Sequence, residues 1–67
     1  MQQNQFQFSI RELRARKRKT QAEVARDLGI SVQTYCAWEK DISNVKVSKV
    51  QAIANYYGVQ LGEIFLG

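Results

Sequence analysis

The sequence contains 67 residues, which predicts one small domain and leaves no room for a second one. Ten basic residues against six acidic ones give a net charge of +4, and six of the ten bases lie between Arg11 and Lys19, a concentration that favours an anionic partner over a merely solvated helix face. Because the chain has no histidine and one cysteine, it offers neither the usual ligands of a zinc site nor an internal disulfide.

Membrane insertion, secretion and catalysis are not expected. No apolar run approaches the roughly 20 residues that span a bilayer, and the N terminus does not resemble a signal peptide. A single cysteine fits a reducing compartment. No nucleophile–base pair or glycine-rich phosphate loop indicates an enzyme. We therefore expect a cytoplasmic protein without a cofactor or a metal ion.

Residues 1–8 are rich in glutamine and asparagine and show no helical period, so we expect a flexible N-terminal arm. A single domain should then cover residues 9–67. Phe6 is expected to dock on the core of that domain or to reach a partner subunit. Phe8 should pack on Leu13 as a hydrophobic staple.

A first helix is predicted directly after the arm. Ser9 and Glu12 have the three-residue spacing of a capping box, which places the start of the helix at Ile10. The helix should end near Arg18, and Ile10 and Leu13 should face inward from it. Charged residues dominate its remaining positions.

The stretch from Thr20 to Glu39 predicts two short helices separated by a tight turn. Thr20 and Glu23 form a second capping box, and Gly29 falls where the first of these helices should end in the left-handed conformation. Ser31 can cap the following helix, which should run over about 32–40. Such a helix, turn and helix are typical of a helix-turn-helix motif.

The second helix of this motif has two distinct faces. Tyr35 and Trp38 lie three residues apart and should both be buried. If they are, the opposite face presents a different set of side chains to solvent, namely Val32, Gln33, Cys36, Ala37 and Lys40.

The last third of the chain predicts a polar connection over residues 40–46 and then a helix from about Val47 to Tyr57. Gly58 should stop that helix. Residues 60–66 are interpreted as a final short helix. The apolar residues of the longer helix should lie on one face; they are Val47, Val50, Ile53, Ala54 and Tyr57.

The chain from Ile10 to Phe65 resembles the Cro/cI-type, or Xre-type, family of repressors, which have a lambda-repressor-like domain. The resemblance implies a compact all-α bundle of five helices, with helices 2 and 3 as the helix-turn-helix, that binds double-stranded DNA. It rests on a shared register without insertions, carried by Leu13-Arg14, Thr20-Gln21, Glu23, Ala25, Leu28-Gly29, Ser31, Thr34, Trp38-Glu39, Ile53-Ala54 and Gly58-Val59.

The resemblance also implies which residues read the bases from the major groove: Val32, Gln33, Cys36 and Ala37. Of these, Gln33 can bind adenine N6 and N7 in a bidentate pair, and Val32 and Ala37 can pack on thymine methyl groups. Cys36 is expected to be an inert thiol, with a redox switch as the alternative.

A further set of residues is expected to contact DNA phosphates. The family's phosphate-binding glutamine matches Gln21, at the start of a helix where free amides favour an anion. Arg11 and Arg16 should add positive electrostatic potential and some direct contacts. The other expected contacts lie beside Gln21 or in the polar connection, and they are Lys17, Arg18, Lys19, Lys40, Ser43, Asn44 and Lys46.

The resemblance further implies that Arg14 and Glu39 form an ion pair between helices; the alternative is two independent surface charges, which would contribute little. We expect a repressor that acts as a homodimer on a pseudo-palindromic operator. Leu61, Phe65 and Leu66 are candidates for the dimer interface or, equally, for closing the core. The alternative function is a protein-interaction module on the same fold with weak or non-specific DNA binding.

Overall fold

A computed structural model of the protein describes residues 7–66, and it confirms the all-α class. Residues 1–6 of the expected arm, with Phe6, and Gly67 lie outside the described part. The described residues form four α-helices and one 3-10 helix: α1 at Ile10–Lys17, α2 at Gln21–Leu28, α3 at Val32–Lys40, α4 at Val47–Tyr57, and the 3-10 helix at Leu61–Glu63.

The predicted helix starts are confirmed, and those of α1, α2 and α3 are fixed by residues only three positions apart. The Ser9 hydroxyl accepts a hydrogen bond from the Glu12 N–H at 3.1 Å, while the Glu12 carboxylate accepts one from the Ser9 N–H at 2.8 Å. Thr20 and Glu23 repeat this capping box at α2. Ser31 caps α3 through the Thr34 N–H at 3.1 Å. Such a cap typically stabilises a protein by about 1 kcal/mol.

Three helices end at a residue in the left-handed conformation. Gly29 and Gly58 end α2 and α4 with φ of 73° and 72°, which glycine adopts without steric cost. Arg18 ends α1 with φ of 57°, so it lies one position beyond the helix instead of being its last residue. A side chain in this conformation costs roughly 1–2 kcal/mol. Arg18 therefore projects from a turn between α1 and α2.

The core contains side chains from all four α-helices together with Ile42 and Ile64. Tyr35 is fully buried as predicted, but Trp38 is only half-buried. Val47 was expected on the apolar face of α4 but is 70% exposed, since the buried stripe of α4 begins at Val50, one turn later. The loop residue Ile42 is buried, although it lies in the connection that was predicted to be polar.

The end of the described chain differs from the predicted final helix. Only Leu61–Glu63 form a helical turn, and Ile64 then pairs with Phe8 as an isolated parallel β-bridge. The Phe8 N–H donates to the Glu63 carbonyl at 2.7 Å, and the Phe65 N–H donates to the Phe8 carbonyl at 2.8 Å. The extended backbone buries Ile64 and leaves Phe65 exposed, as the alternation of an extended chain requires. The fifth α-helix is therefore replaced by a bridge that also ties down the last residue of the expected arm.

Residues 7–66 contain neither a membrane-spanning helix nor a cluster of metal-ligating side chains. No helix in this part is long and apolar enough to cross a membrane. No group of three histidine, cysteine, aspartate or glutamate side chains lies close enough together there to hold a metal ion.

Candidate nucleic-acid interface

Tyr35 fixes α3 against the rest of the domain. Its hydroxyl lies 2.7 Å from the hydroxyl of Tyr57 on α4, and its ring meets the edge of Trp38 with 6.5 Å between the ring centroids. Burial and this hydrogen bond to Tyr57 raise the pKa of the Tyr35 hydroxyl, so the group stays neutral. Because one side of α3 is held inward in this way, its opposite side is presented to solvent.

The exposed side of α3 contains three of the four predicted base-reading residues. Gln33 and Ala37 are exposed, and Val32 is 37% exposed although it is apolar. Cys36 differs from them, because it is half-buried and its thiol donates a hydrogen bond to Gln21 Oε1 at 3.0 Å. All four residues therefore lie on one side of α3, but the thiol of Cys36 is engaged with Gln21 inside the protein.

Arg14 and Glu39 join α1 to the end of α3 through two parallel hydrogen bonds. Arg14 Nε lies 2.6 Å from Glu39 Oε2, and Arg14 Nη2 donates to Glu39 Oε1 at 3.2 Å. The guanidinium also donates from Nη1 to the Lys19 carbonyl at 3.1 Å. The side chain of Glu39 is 5% exposed and that of Arg14 is 20% exposed, so water screens this pair only weakly.

The ionisation of Glu39 is controlled by two opposing effects. Burial raises the pKa of its carboxyl group, whereas the hydrogen bonds from Arg14 and Gln21 lower it, and the net pKa lies below the usual value. Glu39 is therefore ionised at neutral pH, and the same hydrogen bond raises the pKa of Arg14.

The carboxamide of Gln21 lies between the ion pair and α3. Gln21 Nε2 donates to Glu39 Oε1 at 2.9 Å, while Gln21 Oε1 accepts from the Cys36 thiol. The amide orientation is consistent with both partners, since a carboxylate needs a donor and a thiol needs an acceptor. One N–H of the amide and the backbone N–H groups at the start of α2 remain available for an anion.

Lys19 was expected to contact phosphate, but its charge is already compensated. Its ammonium group lies 2.8 Å from Asp27 Oδ2, and the same oxygen accepts a hydrogen bond from the Tyr56 hydroxyl at 2.7 Å. These contacts, Lys19 first, lower the pKa of Asp27. The ammonium group of Lys17 lies 5.2 Å from the centroid of the Tyr56 ring and has no carboxylate partner among residues 7–66. Of these two lysines, Lys19 is therefore paired with a carboxylate and Lys17 is not, among residues 7–66.

The loop between α3 and α4 uses one of its expected phosphate contacts internally. Ser43 donates from its backbone N–H and from its hydroxyl to Asp41 Oδ1, at 3.0 Å and 2.6 Å. These bonds lower the pKa of Asp41, whose carboxylate closes the turn. Asn44 and Lys46 are exposed beyond this turn and point no polar group at Asp41.

A cleft of about 540 Å³ opens between α1, the start of α2 and the end of α3. We call it the α1–α3 cleft. Arg11, which was expected to add positive electrostatic potential and some direct contacts, lies on its edge. Because Arg11 and Arg14 are three residues apart, the sequence alone could have predicted that both lie on one face of α1. The residues that line the α1–α3 cleft are Arg11, Arg14, Gln21, Cys36, Glu39 and Lys40.

Comparison with known proteins assigns the chain to a family. The model of a helix-turn-helix family matches residues 10–64, which include every helix described above. The chain belongs to this helix-turn-helix family. The resemblance to Cro/cI-type proteins is thereby confirmed. In this family member, α2 and α3 form the helix-turn-helix and Gly29 forms its turn.

A curated relative of this helix-turn-helix protein is the cryptic phage CTXphi transcriptional repressor RstR of Vibrio cholerae. The two are 37% identical over 59 residues, which cover 88% of this chain and 53% of the relative. The chain therefore spans about half the length of that relative. No solved structure matches this chain.

Proposed function

We propose that this helix-turn-helix protein is a transcriptional repressor that binds double-stranded DNA and inserts α3 into the major groove. One observation carries the proposal: the exposed side of α3 is held from behind by buried Tyr35 and by the Arg14–Glu39 pair. A rigid helix with one free face fits the width of the major groove, where base edges can be distinguished. The match to a protein named as a transcriptional repressor supports the same class.

Sequence would be read mainly by Gln33. Its carboxamide is exposed and can form a bidentate pair with adenine N6 and N7. Val32 and Ala37 lie on the same face and would contact thymine methyl groups. The thiol of Cys36 is engaged with Gln21, so Cys36 would contribute at most an apolar contact.

Phosphate contacts would set the register of α3 on the duplex without reading sequence. The first residue of α2 is Gln21, and the start of a helix favours an anion. The exposed polar residues that flank the motif can reach the adjacent backbone. They are Lys17, Arg18, Lys40, Asn44 and Lys46.

We further propose that two copies bind a pseudo-palindromic operator. A two-fold dimer reads half-sites about 10 base pairs apart on one face of the duplex. Phe65 and Leu66 are adjacent, apolar, and 51% and 45% exposed, so they are the candidates for the contact between copies. Leu61 is half-buried beside them and also packs on the core. A dimer bound across a promoter would exclude polymerase.

A protein-interaction module is the second candidate function. The observation in its favour is the apolar character of the α3 face, because Val32 and Ala37 lack hydrogen-bonding groups and the Cys36 thiol is turned toward Gln21. The exposed cations Lys17 and Arg18 favour DNA instead.

Selection of bound duplexes from a random DNA library separates the two candidates. A repressor should enrich a two-fold motif with half-sites about 10 base pairs apart. Its affinity should fall with salt along a log–log slope of about −0.9 for each neutralised phosphate. Binding of bulk genomic DNA in a gel shift gives the sequence-independent baseline. No enrichment, together with binding that salt does not change, would contradict the repressor and favour the interaction module.

A further inference from the structure

We propose that Arg11 and Lys40 bind one phosphodiester of the DNA backbone at the mouth of the α1–α3 cleft. The inference rests on the proposed DNA binding and specifies where the backbone is held. It follows from three features of the cleft: a floor without net charge, two cations on its edge, and its position beside the exposed face of α3.

The floor of the cleft is electrically neutral. Arg14 and Glu39 compensate each other through paired hydrogen bonds at 2.6 Å and 3.2 Å. Gln21 is fixed between Glu39 and Cys36 and has no charge. Because Arg14 is already committed to Glu39 and to the Lys19 carbonyl, it is poorly placed to take a phosphate as well.

The edge of the cleft has a net charge of +2. Arg11 projects from the first turn of α1, and Lys40 is the last residue of α3. Both are exposed, and neither forms an ion pair within residues 7–66. A guanidinium binds phosphate oxygens through its fork of N–H groups, and an ammonium acts as a point charge. Because Arg11 and Lys40 line the same cleft without a carboxylate partner, the oxygens of one backbone phosphodiester can accept hydrogen bonds from both.

Position selects a backbone phosphate over a free anion. Cys36 and Lys40 line the cleft from the same helix that exposes Gln33. When that helix enters the major groove, the strand at the edge of the groove passes the cleft. The first turn of α2 opens on the same side through Gln21 and adds backbone N–H groups.

Other bases near the motif do not meet these conditions. Lys19 is already paired with Asp27, with 2.8 Å between their charged atoms, and does not line the cleft. Arg26 is 74% exposed on α2, lies 4.0 Å from Asp27 Oδ1 through its Nε, and does not line the cleft. Arg26 therefore supplies a matched control, since Arg26→Gln removes the same side-chain charge as Arg11→Gln from a different surface.

Salt titration of DNA binding tests the proposal with the variants Arg11→Gln, Lys40→Gln and Arg26→Gln. Each of the first two should remove part of the slope of about 0.9 that one neutralised phosphate contributes, and should weaken binding by part of the roughly eightfold that one purely electrostatic phosphate contact contributes at about 0.1 M salt. Arg26→Gln should change neither quantity. Arg11→Lys, which keeps the charge, should retain most of the slope. Thermal melting of each variant checks that it folds.

A second measurement locates the contact on the selected duplex. One backbone position at a time is replaced by a neutral methylphosphonate. At a single position in each half-site the replacement should weaken the wild-type protein about eightfold, as the loss of one charge contact predicts. It should weaken Arg11→Gln by a smaller factor, because only Lys40 then faces that phosphate.

The outcomes separate this inference from the proposed function. If wild-type protein binds DNA and Arg11→Gln behaves like Arg26→Gln, the phosphate contact is wrong and DNA binding stands. If the wild type binds no DNA, the proposed function itself fails. Inorganic phosphate is the third probe: saturable shifts of the Arg11 and Lys40 amide signals at micromolar phosphate would assign the cleft to a free anion instead.

Discussion

Gln33 differs from its neighbours on α3 in having two strong hydrogen-bonding groups on one exposed side chain. Val32 and Ala37 beside it are apolar, and the polar atom of Cys36 is directed to Gln21 at 3.0 Å. If α3 reads DNA as proposed, discrimination by paired hydrogen bonds would depend on this one residue. A single good bidentate contact contributes roughly 1–3 kcal/mol against the wrong base.

Replacement of Gln33 by alanine should relax the preference for one base pair in each half-site. We expect a loss of about 1–3 kcal/mol at the preferred site and little change in non-specific binding, because the phosphate contacts remain. The measurement is binding of wild type and Gln33→Ala to a site library at one salt concentration. Unchanged base preferences in the variant would show that α3 does not read through this residue.

Gln21→Ala is the informative comparison for that experiment. Gln21 begins α2 and its carboxamide joins Glu39 to Cys36, so its loss should weaken all DNA sequences evenly. It should also lower the melting temperature, since Glu39 loses one of its donors. A change confined to one base pair would instead place Gln21 among the base-reading residues.

At the scale of the elements, α1 is joined by a part-buried ion pair to the end of α3, the helix proposed to enter the major groove. The pair couples the orientation of α3 to α1, whereas the α2–α3 turn is fixed by the Ser31 cap and Gly29. Removal of one partner leaves the other charge buried without compensation, which is the costly case for an ion pair. A change in α1 can therefore alter DNA binding without any contact to DNA.

Arg14→Ala should lower the free energy of unfolding by about 3 kcal/mol at neutral pH and should also weaken DNA binding. The pKa of Glu39 is lowered in the folded protein, so the stabilisation is present above the usual glutamate pKa and is lost as the pH falls through the folded value. The difference between wild type and variant should therefore shrink below about pH 4. Denaturant unfolding at several pH values measures it.

Arg11→Ala provides the control on the same helix. Arg11 is exposed and has no ion-pair partner among residues 7–66, so its removal should change stability by less than about 0.5 kcal/mol. An equal loss of stability in Arg14→Ala and Arg11→Ala would show that the Arg14–Glu39 pair contributes nothing specific.

At the scale of the whole molecule, the two ends of the described chain close the domain together. Phe8 and Ile64 form the parallel bridge, and the Arg16 guanidinium lies 4.3 Å from the centroid of the Phe8 ring. The bridge sends Ile64 inward and leaves the next two residues, Phe65 and Leu66, exposed. Core closure and the proposed dimer contact thus fall to different residues of one segment.

Alanine substitutions at Ile64 and Phe65 should separate these two roles. Ile64→Ala should lower the free energy of unfolding by about 2–5 kcal/mol, because it empties a buried site. Phe65→Ala should change the stability of the monomer little and should shift the protein toward monomer in sedimentation equilibrium. A dimer that survives in Phe65→Ala and in Leu66→Ala would contradict the proposed interface.

Much of the fold could be predicted because its signals are local. Ser9 with Glu12, Thr20 with Glu23, and Ser31 with Thr34 cap helices across three residues, so their geometry does not depend on distant parts of the chain. Gly29 and Gly58 stop helices through their own backbone conformation. The register of these residues was also enough to indicate the family.

Tertiary structure decided how the site residues are used, because their partners are distant in sequence. Lys19 meets Tyr56, and Gln21 meets Glu39 and Cys36, only after helices distant in the chain have packed. Lys19 meets Asp27 across eight residues of the same segment. From residue type alone, Lys19 could not be distinguished from Lys17 and Arg18 as a predicted phosphate contact. Pairing with Phe8 likewise selected an extended Ile64 where an apolar helical stripe was predicted. Sequence therefore determined where the four α-helices begin, and packing between distant residues determined which charges stay free for a partner.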